Sequence, residues 1–285
     1  MNKRNFGWFK LFGLVLVFGL ILTGCSQKKS TSSASKDKTP IVVATSGTLY
    51  PTSYHDQKTN KLTGFDVQIV RAVAKKLGRP VKFQEMNVDG QLTAVKTGKA
   101  DMAANDFGIS PQRKKEFTLS TPYKHSFNSI VVRKKDDSGI HSWADIKGKK
   151  AAGEAGTSYQ RLAKQLGAKT VNYNNVSNDV YFRDVKNGKT DLIMNDYYLQ
   201  KLALKATPNS GLKILPNMYF TTSDDGSGVG ILMKHGNTKL VKQVDNALAA
   251  LKKDGTLKKI SEKYYGANVT KKPNVKISRN FVIKK

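Results

Sequence analysis

The sequence predicts an α/β protein built as two lobes, and three observations carry that prediction. A strand-helix alternation starts at Ile41 and runs βαβαβ to Ala104. The same order starts again after Ser129. The chain has 285 residues, long for one compact core and comfortable for two. A hydrophobic share of 39% with 25% charged residues is that of an ordinary folded protein. Strands joined through helices give a mainly parallel sheet with right-handed crossovers, and such sheets bind ligands at the loops beyond the carboxyl ends of their strands.

Residues 1–24 read as a leader. Lys3, Arg4 and Lys10 precede an apolar and glycine run at 11–22. That run is shorter than the about 20 residues that span a bilayer, so it fits a secretory segment, with an uncleaved anchor as the alternative. It stops at Leu22-Thr23-Gly24-Cys25. Residues 26–39 hold no large apolar side chain and read as a flexible tether, so the folded part is expected from Pro40.

The first lobe is expected to comprise 40–131 and 229–266. Ile41 to Ala44 is a β-type run, and Phe65, Ile69, Val70, Val73 and Leu77 share one helical face that ends at Gly78. Pro80 to Phe83 is a second strand, Leu92 and Val95 with Gly98 close a second helix, and 101–104 is a third strand. The loops at 46–63 and 105–113 then occupy the ligand-binding ends. The second lobe, 132–228, repeats the grammar. It has strands at 149–153, 170–173 and 192–194 and helices from Gly156-Thr157-Ser158 to Gly167, at 180–185 and at 198–205. Residues 229–233 read as a strand that returns to the first lobe; Leu240, Val244, Leu248 and Leu251 form an amphipathic helix, and Leu257, Ile260 and Tyr264 a last short one. The basic tail at 267–285 is either mobile or strapped on the surface.

The chemistry concentrates at 100–123. Asp101, Asn105 and Asp106 run into Gly108-Ile109-Ser110-Pro111-Gln112-Arg113, and Ser120-Thr121-Pro122-Tyr123 closes the stretch. An arginine three residues after a serine in a Gly/Pro-marked loop can aim a five-donor fork and a hydroxyl at one carboxylate. The alternative is a surface turn with Arg113 in solvent. The 49 basic and 21 acidic residues leave +28, which attracts nucleic acid, anionic lipid or anionic wall polymer alike. A nucleic-acid role lacks a readable module and conflicts with a leader. The single cysteine, Cys25, rules out a disulfide within the chain. No Ser/His/Asp grouping, phosphate loop or metal spacing among His55, His125, His141 and His235 is present in the sequence.

Taken in order, Tyr50-Pro51, 62–67, Lys99-Ala100-Asp101, Ser110-x-x-Arg113, 120–123, Gly156-Thr157-Ser158, Asn195-Asp196 and Asp254-Gly255-Thr256 resemble the extracellular solute-binding proteins of polar amino-acid ABC importers. Leu22 to Cys25 resembles a bacterial lipobox. The resemblance implies a periplasmic-binding-protein-like (type II) fold, a hinged clamp with crossovers near 126–132 and 223–230. It implies that Arg113, Ser110 and the amides around Gly108 hold a ligand α-carboxylate from one lobe, and Thr157 and Ser158 at a helix N-terminus from the other. Asp196 pairs with the α-ammonium, caps a helix, or both. Tyr50, with Tyr54 or Phe107, covers the side chain. Asn105-Asp106 departs from the family pattern, and Asp106 in the cleft would favour a ligand with a second ammonium. The runs 48–54, 178–181 and 195–198 resemble the L-cystine-binding lipoproteins, and cystine carries two ammonium groups. The resemblance further implies a monomer without cofactor, lipid-anchored at Cys25 on the outer face of a bacterial, Gram-positive type cell membrane, with an ABC permease and ATPase as partners. Two rivals stand beside it: a dehydratase on the same fold with Glu154 as general acid, and a surface adhesin that uses the basic charge.

Overall fold

The structure is a computed structural model and describes residues 39–224 and 228–284. The leader, Cys25 and the tether expected from the sequence lie outside the described residues, as do positions 225–227 within the second expected crossover.

The first lobe opens with β1 (Ile41–Thr45), the short strands β2 (Thr48–Leu49), β3 (Ser53–His55) and β4 (Leu62–Thr63), and α1 (Phe65–Leu77). Then come β5 (Val81–Glu85), α2 (Val88–Thr97), β6 (Met102–Ala103), α3 (Pro111–Glu116) and β7 (Phe117–Leu119). The helices stop where the sequence says they should: Gly78 and Gly98 take the left-handed conformation that ends α1 and α2. The 105–113 segment, by contrast, is not all loop. Ser110 caps α3 through its hydroxyl and Pro111 sits at the first helical position, where a missing N–H is harmless.

The second lobe holds β8 (Asn128–Arg133), β9 (Lys150–Glu154), α4 (Ser158–Gln165), β10 (Lys169–Tyr173), α5 (Asn178–Lys186), β11 (Leu192–Asp196), α6 (Tyr197–Ala206), β12 (Leu212–Ile214) and β13 (Phe220–Thr222). The chain returns through β14 (Leu232–Lys234), α7 (Thr238–Lys253) and α8 (Thr256–Tyr265), and ends on β15 (Arg279–Phe281).

Two sheets result. The first has the order β5-β1-β6-β14-β7, the second β10-β9-β11-β8-β13-β15 with β12 also on β8. β1 pairs in parallel with β5 and β6, and β9 with β10 and β11. The rest is not parallel as expected: β14 and β8 enter antiparallel to their neighbours, so both sheets are mixed. Both faces of the first sheet are buried. Ile41 and Val43 face a core with Phe65, Ile69 and Leu248, while Ala44 and Ala103 face Val88 and Val95 of α2, the alternation a strand imposes. In the second sheet Ile130 and Leu192 pack with Leu162 of α4, and Val131 and Ile193 with Phe182 and Ala203 of α5 and α6.

The lobe boundary expected after residue 131 moves. β8 pairs with β11 from Asn128 to Val132, and its ladder joins one sheet only, so the second lobe starts before Asn128. The two crossovers pair with each other: the Tyr123 amide donates to the Val229 carbonyl and the Val229 amide to the Lys124 carbonyl, at 3.0 and 2.8 Å. Gly228 permits this approach, since a Cβ there, at φ +93°, would stand 2.7 Å from the Lys124 carbonyl oxygen.

The tail is strapped down. β15 runs parallel to β13, the Ser278 amide donates to the Tyr219 carbonyl, and Phe281 is buried between Trp143 and Phe220, with ring centroids 4.9 and 5.9 Å away. The chain therefore passes between the lobes three times, not twice.

Candidate functional site

The cleft between the sheets is closed by direct bonds. Thr48 donates to Asn175 at 2.9 Å, the Asn175 side chain to the Ser46 carbonyl at 3.3 Å, and Asn178 to the Tyr50 carbonyl at 3.4 Å. Asn87 reaches Asn174 at 2.5 Å and the Val88 amide donates to Glu154 Oε1 at 2.9 Å. Each bond joins a residue of the first lobe to one of the second. They enclose a cavity at the carboxyl ends of the strands, where α/β sheets bind ligands.

From the first lobe the wall carries Asn105, Asp106, Phe107, Gly108 and Arg113. Arg113 lies in the first turn of α3, its Nη1 donates to the Gly108 carbonyl at 2.9 Å, and its guanidinium stacks over Phe107 at 5.2 Å. The fork is thus oriented by its own loop. Asn105 accepts from Ser46 Oγ at 2.9 Å. Asp106 sits at φ 59°, and its amide donates to Asp66 Oδ2 at 2.6 Å. Burial pushes the Asp66 carboxyl up to about 7, the nearby Asp106 charge adding to the effect.

From the second lobe come Thr157, Ser158 and Tyr159 at the start of α4, Asn178, Tyr181 and Phe182 of α5, and Asn195 and Asp196 at the end of β11. The Thr157 hydroxyl donates to the Glu154 carbonyl at 2.8 Å and accepts from the Gln160 amide at 3.3 Å. Its hydroxyl therefore builds the helix start while the residue stays on the cavity wall, and the first-turn amides of α4 are donors with no acceptor inside the helix, of the kind that hold anions. Asp196 caps α6, Oδ1 accepting from the Leu199 amide at 3.0 Å, and also faces the cavity.

Three expected ligand residues lie off the cavity wall. Ser110 is buried with its hydroxyl consumed in capping α3 at Arg113 N, 3.0 Å, so it positions Arg113. Tyr50 and Tyr54 pack edge to face on each other at 4.8 Å, and Tyr54 lies against the first-lobe core, its hydroxyl pushed up to about 12 chiefly by burial. Ser46, Thr48 and Leu49 line the cavity in their place.

The residue that sequence reasoning missed is Lys124. It follows the motif Ser120 to Tyr123, has no exposed surface, and its Nζ bonds Asp106 Oδ1 at 2.6 Å and Asp196 Oδ2 at 2.7 Å. Burial works to lower its pKa, but the two carboxylates hold it well above the ordinary lysine range. Asp106 is therefore not the free extra anion expected from the sequence; Lys124 neutralises it. Glu154 faces the cavity as a closure contact, its carboxyl raised above the usual range by burial against the pull of the Val88 N–H. Among the described residues no group of three or more His, Cys, Asp or Glu side chains could hold a metal ion.

The family model for bacterial extracellular solute-binding proteins, family 3, matches residues 41–267. A protein named "Probable ABC transporter extracellular-binding protein YckB" from Bacillus subtilis is 47% identical over 92% of this chain and 93% of its own. The L-cystine-binding protein TcyA of the same organism is 33% identical, covering 92% and 97%. The solved structure of an ancestral arginine-binding protein bound to arginine is 34% identical, with a TM-score of 0.72, over 81% of this chain and all of that one (100%).

Proposed function

The chain belongs to the family 3 bacterial extracellular solute-binding proteins, binding components of amino-acid ABC importers that work outside the cytoplasm and are not enzymes, and from that premise we propose which ligand it takes and how. The ligand is L-cystine or a related sulfur amino acid, held as a zwitterion between the lobes. Arg113 and the amides near Gly108 take the α-carboxylate together with the start of α4, and Asp196 takes the α-ammonium beside Lys124. The observation that carries this reading is the convergence of Arg113, the α4 N-terminus and Asp196 on one closed cavity from two lobes. A buried zwitterion needs a partner for each charge, and neither lobe alone supplies both. The cystine assignment is supported by the printed function of TcyA and by the runs at 48–54, 178–181 and 195–198.

The protein acts as a monomer on the outer face of the membrane. Cleavage before Cys25 and acylation of that residue anchor it there, since two acyl chains hold a protein stably where one does not, and the tether at 26–39 keeps it near its permease.

A thermal-shift panel of all amino acids, L-cystine and cystathionine on the ligand-stripped mature chain tests the reading. A ligand at 100 times its Kd adds about 2.7 kcal/mol, ~5–10 °C at this size. The expected result is one large shift with a sulfur amino acid, abolished in Arg113→Ala. A flat panel, or a shift indifferent to Arg113→Ala, overturns it.

A further inference from the structure

Lys124 belongs to the hinge and does not line the cavity, yet it decides the charge of the cavity wall. The ionisable side chains on that wall, tyrosines apart, are Arg113, Asp106, Asp196 and Glu154. Lys124 Nζ is bonded to Asp106 of the first lobe and Asp196 of the second, all three nearly or fully buried. Glu154 is engaged by the Val88 amide. The wall and the lysine behind it thus carry two cations against the two aspartates and a carboxyl already used for closure. A carboxylate shared with a buried ammonium keeps lone pairs for one α-ammonium. It does not offer an unpaired anion to a second cation that arrives without a carboxylate of its own (the second ammonium of cystine brings one), and burying an unpaired charge is strongly unfavourable.

We propose that Lys124 is the specificity-determining counter-ion of the site. By neutralising Asp106 and Asp196 from the hinge side, it restricts the cavity to amino acids of zero net charge and excludes those of net positive charge. The inference rests on the amino-acid-capture reading and refines it. It separates this chain from relatives named for arginine: the wall has two aspartates that could have received a guanidinium, and Lys124 occupies both.

The test compares ligands of the same shape and different charge. Calorimetric titration of the mature chain with L-citrulline against L-arginine, and L-norleucine against L-lysine, is run directly and in competition with the neutral amino acid that gives the largest thermal shift. Every cationic member is expected to bind at least tenfold more weakly than its neutral partner, or not at all. In Lys124→Met the cationic-to-neutral affinity ratio is expected to rise at least tenfold, because a ligand cation now meets two aspartates without the ammonium that balanced their charge. Lys124→Met/Asp106→Asn, which removes one charge of each sign, is expected to return the ratio toward that of the parent. Should Lys124→Met fail to fold by circular dichroism, Lys124→Gln takes its place and the parent comparison stands unaided. Arginine or lysine binding the parent as tightly as its isostere overturns the proposal, as does a single variant with an unchanged ratio. Loss of all amino-acid binding, with Arg113→Ala indistinguishable from the parent, sinks the capture reading instead, so the two failures are distinct.

Discussion

Val88 and Glu154 meet across the cleft: the first helical amide of α2, in one lobe, donates to Glu154 Oε1 at the end of β9, in the other, over 2.9 Å. The first amides of a helix have no acceptor within it, and an acidic group at that end is favoured. Closure therefore completes the cap of α2, and opening undoes it.

Glu154→Ala is expected to weaken ligand binding about 10-fold, the loss of one hydrogen bond to a charged acceptor at ~1.5 kcal/mol, measured by titration calorimetry. Glu154→Gln, which keeps an acceptor oxygen, should weaken it less. The raised carboxyl in the closed form means that closure takes up protons, so affinity in the parent falls as pH rises from the ordinary glutamate range through the closed-state value. A profile unchanged in Glu154→Gln would show that another group is responsible.

Gly156 allows the same approach from a neighbouring point. A Cβ at this position, where φ is +78°, would stand 2.2 Å from Asp89 Oδ1 across the cleft. Asp89 is exposed and its carboxylate can swing aside, so the cost of Gly156→Ala falls on the backbone: an alanine held at this positive φ should lower stability by about 1 kcal/mol, read in denaturant melts. An unchanged melt, or a loss of affinity without a loss of stability, would count against this account.

Asp66 supplies a pH dependence of stability. Its folded carboxyl sits at about 7 against an ordinary value of 3.8, so the folded state binds the extra proton. Its contribution is full below the ordinary value and is lost as pH rises through about 7. The Tm of the ligand-free parent should therefore fall relative to Asp66→Asn between pH 4 and pH 7. A constant difference across that range would refute the assignment.

Phe281 fastens the strap. Replacing a buried phenylalanine by alanine typically costs about 3–5 kcal/mol; Phe281 lies near the surface on an edge strand, so the low end, ~3 kcal/mol, is expected in denaturant melts of Phe281→Ala. A change within the error of the melt would mean that β15 does not contribute to the fold.

Much of the fold was legible because it is local. The face of α1 from Phe65 to Leu77 and its stop at Gly78 need only a periodicity and a glycine, and the paired grammar of the lobes follows from their repetition. That Arg113 and Asp196 reach the cavity wall was readable for the same reason, since their loops are marked by Gly, Pro and Asn. What was not legible depends on partners far along the chain. β15 finds β13 some 59 residues away, as in the Thr221 to Asn280 side-chain bond, and a three-residue strand has no period to detect. Lys124 reads as one more basic residue among 49; only folding sets it between aspartates 18 and 72 positions distant. Tyr50 and Tyr54 misled because aromatic side chains in a polar loop suggest exposure, whereas these two pack on each other.

The three passages between lobes also set an order of synthesis. The first sheet lacks its central antiparallel strand until β14 has been made, and the second lacks the cover of β13 until β15 arrives. The first sheet has all its strands once β14 is made, whereas the second waits for β15, so the first lobe can close its sheet while the second still lacks an edge strand.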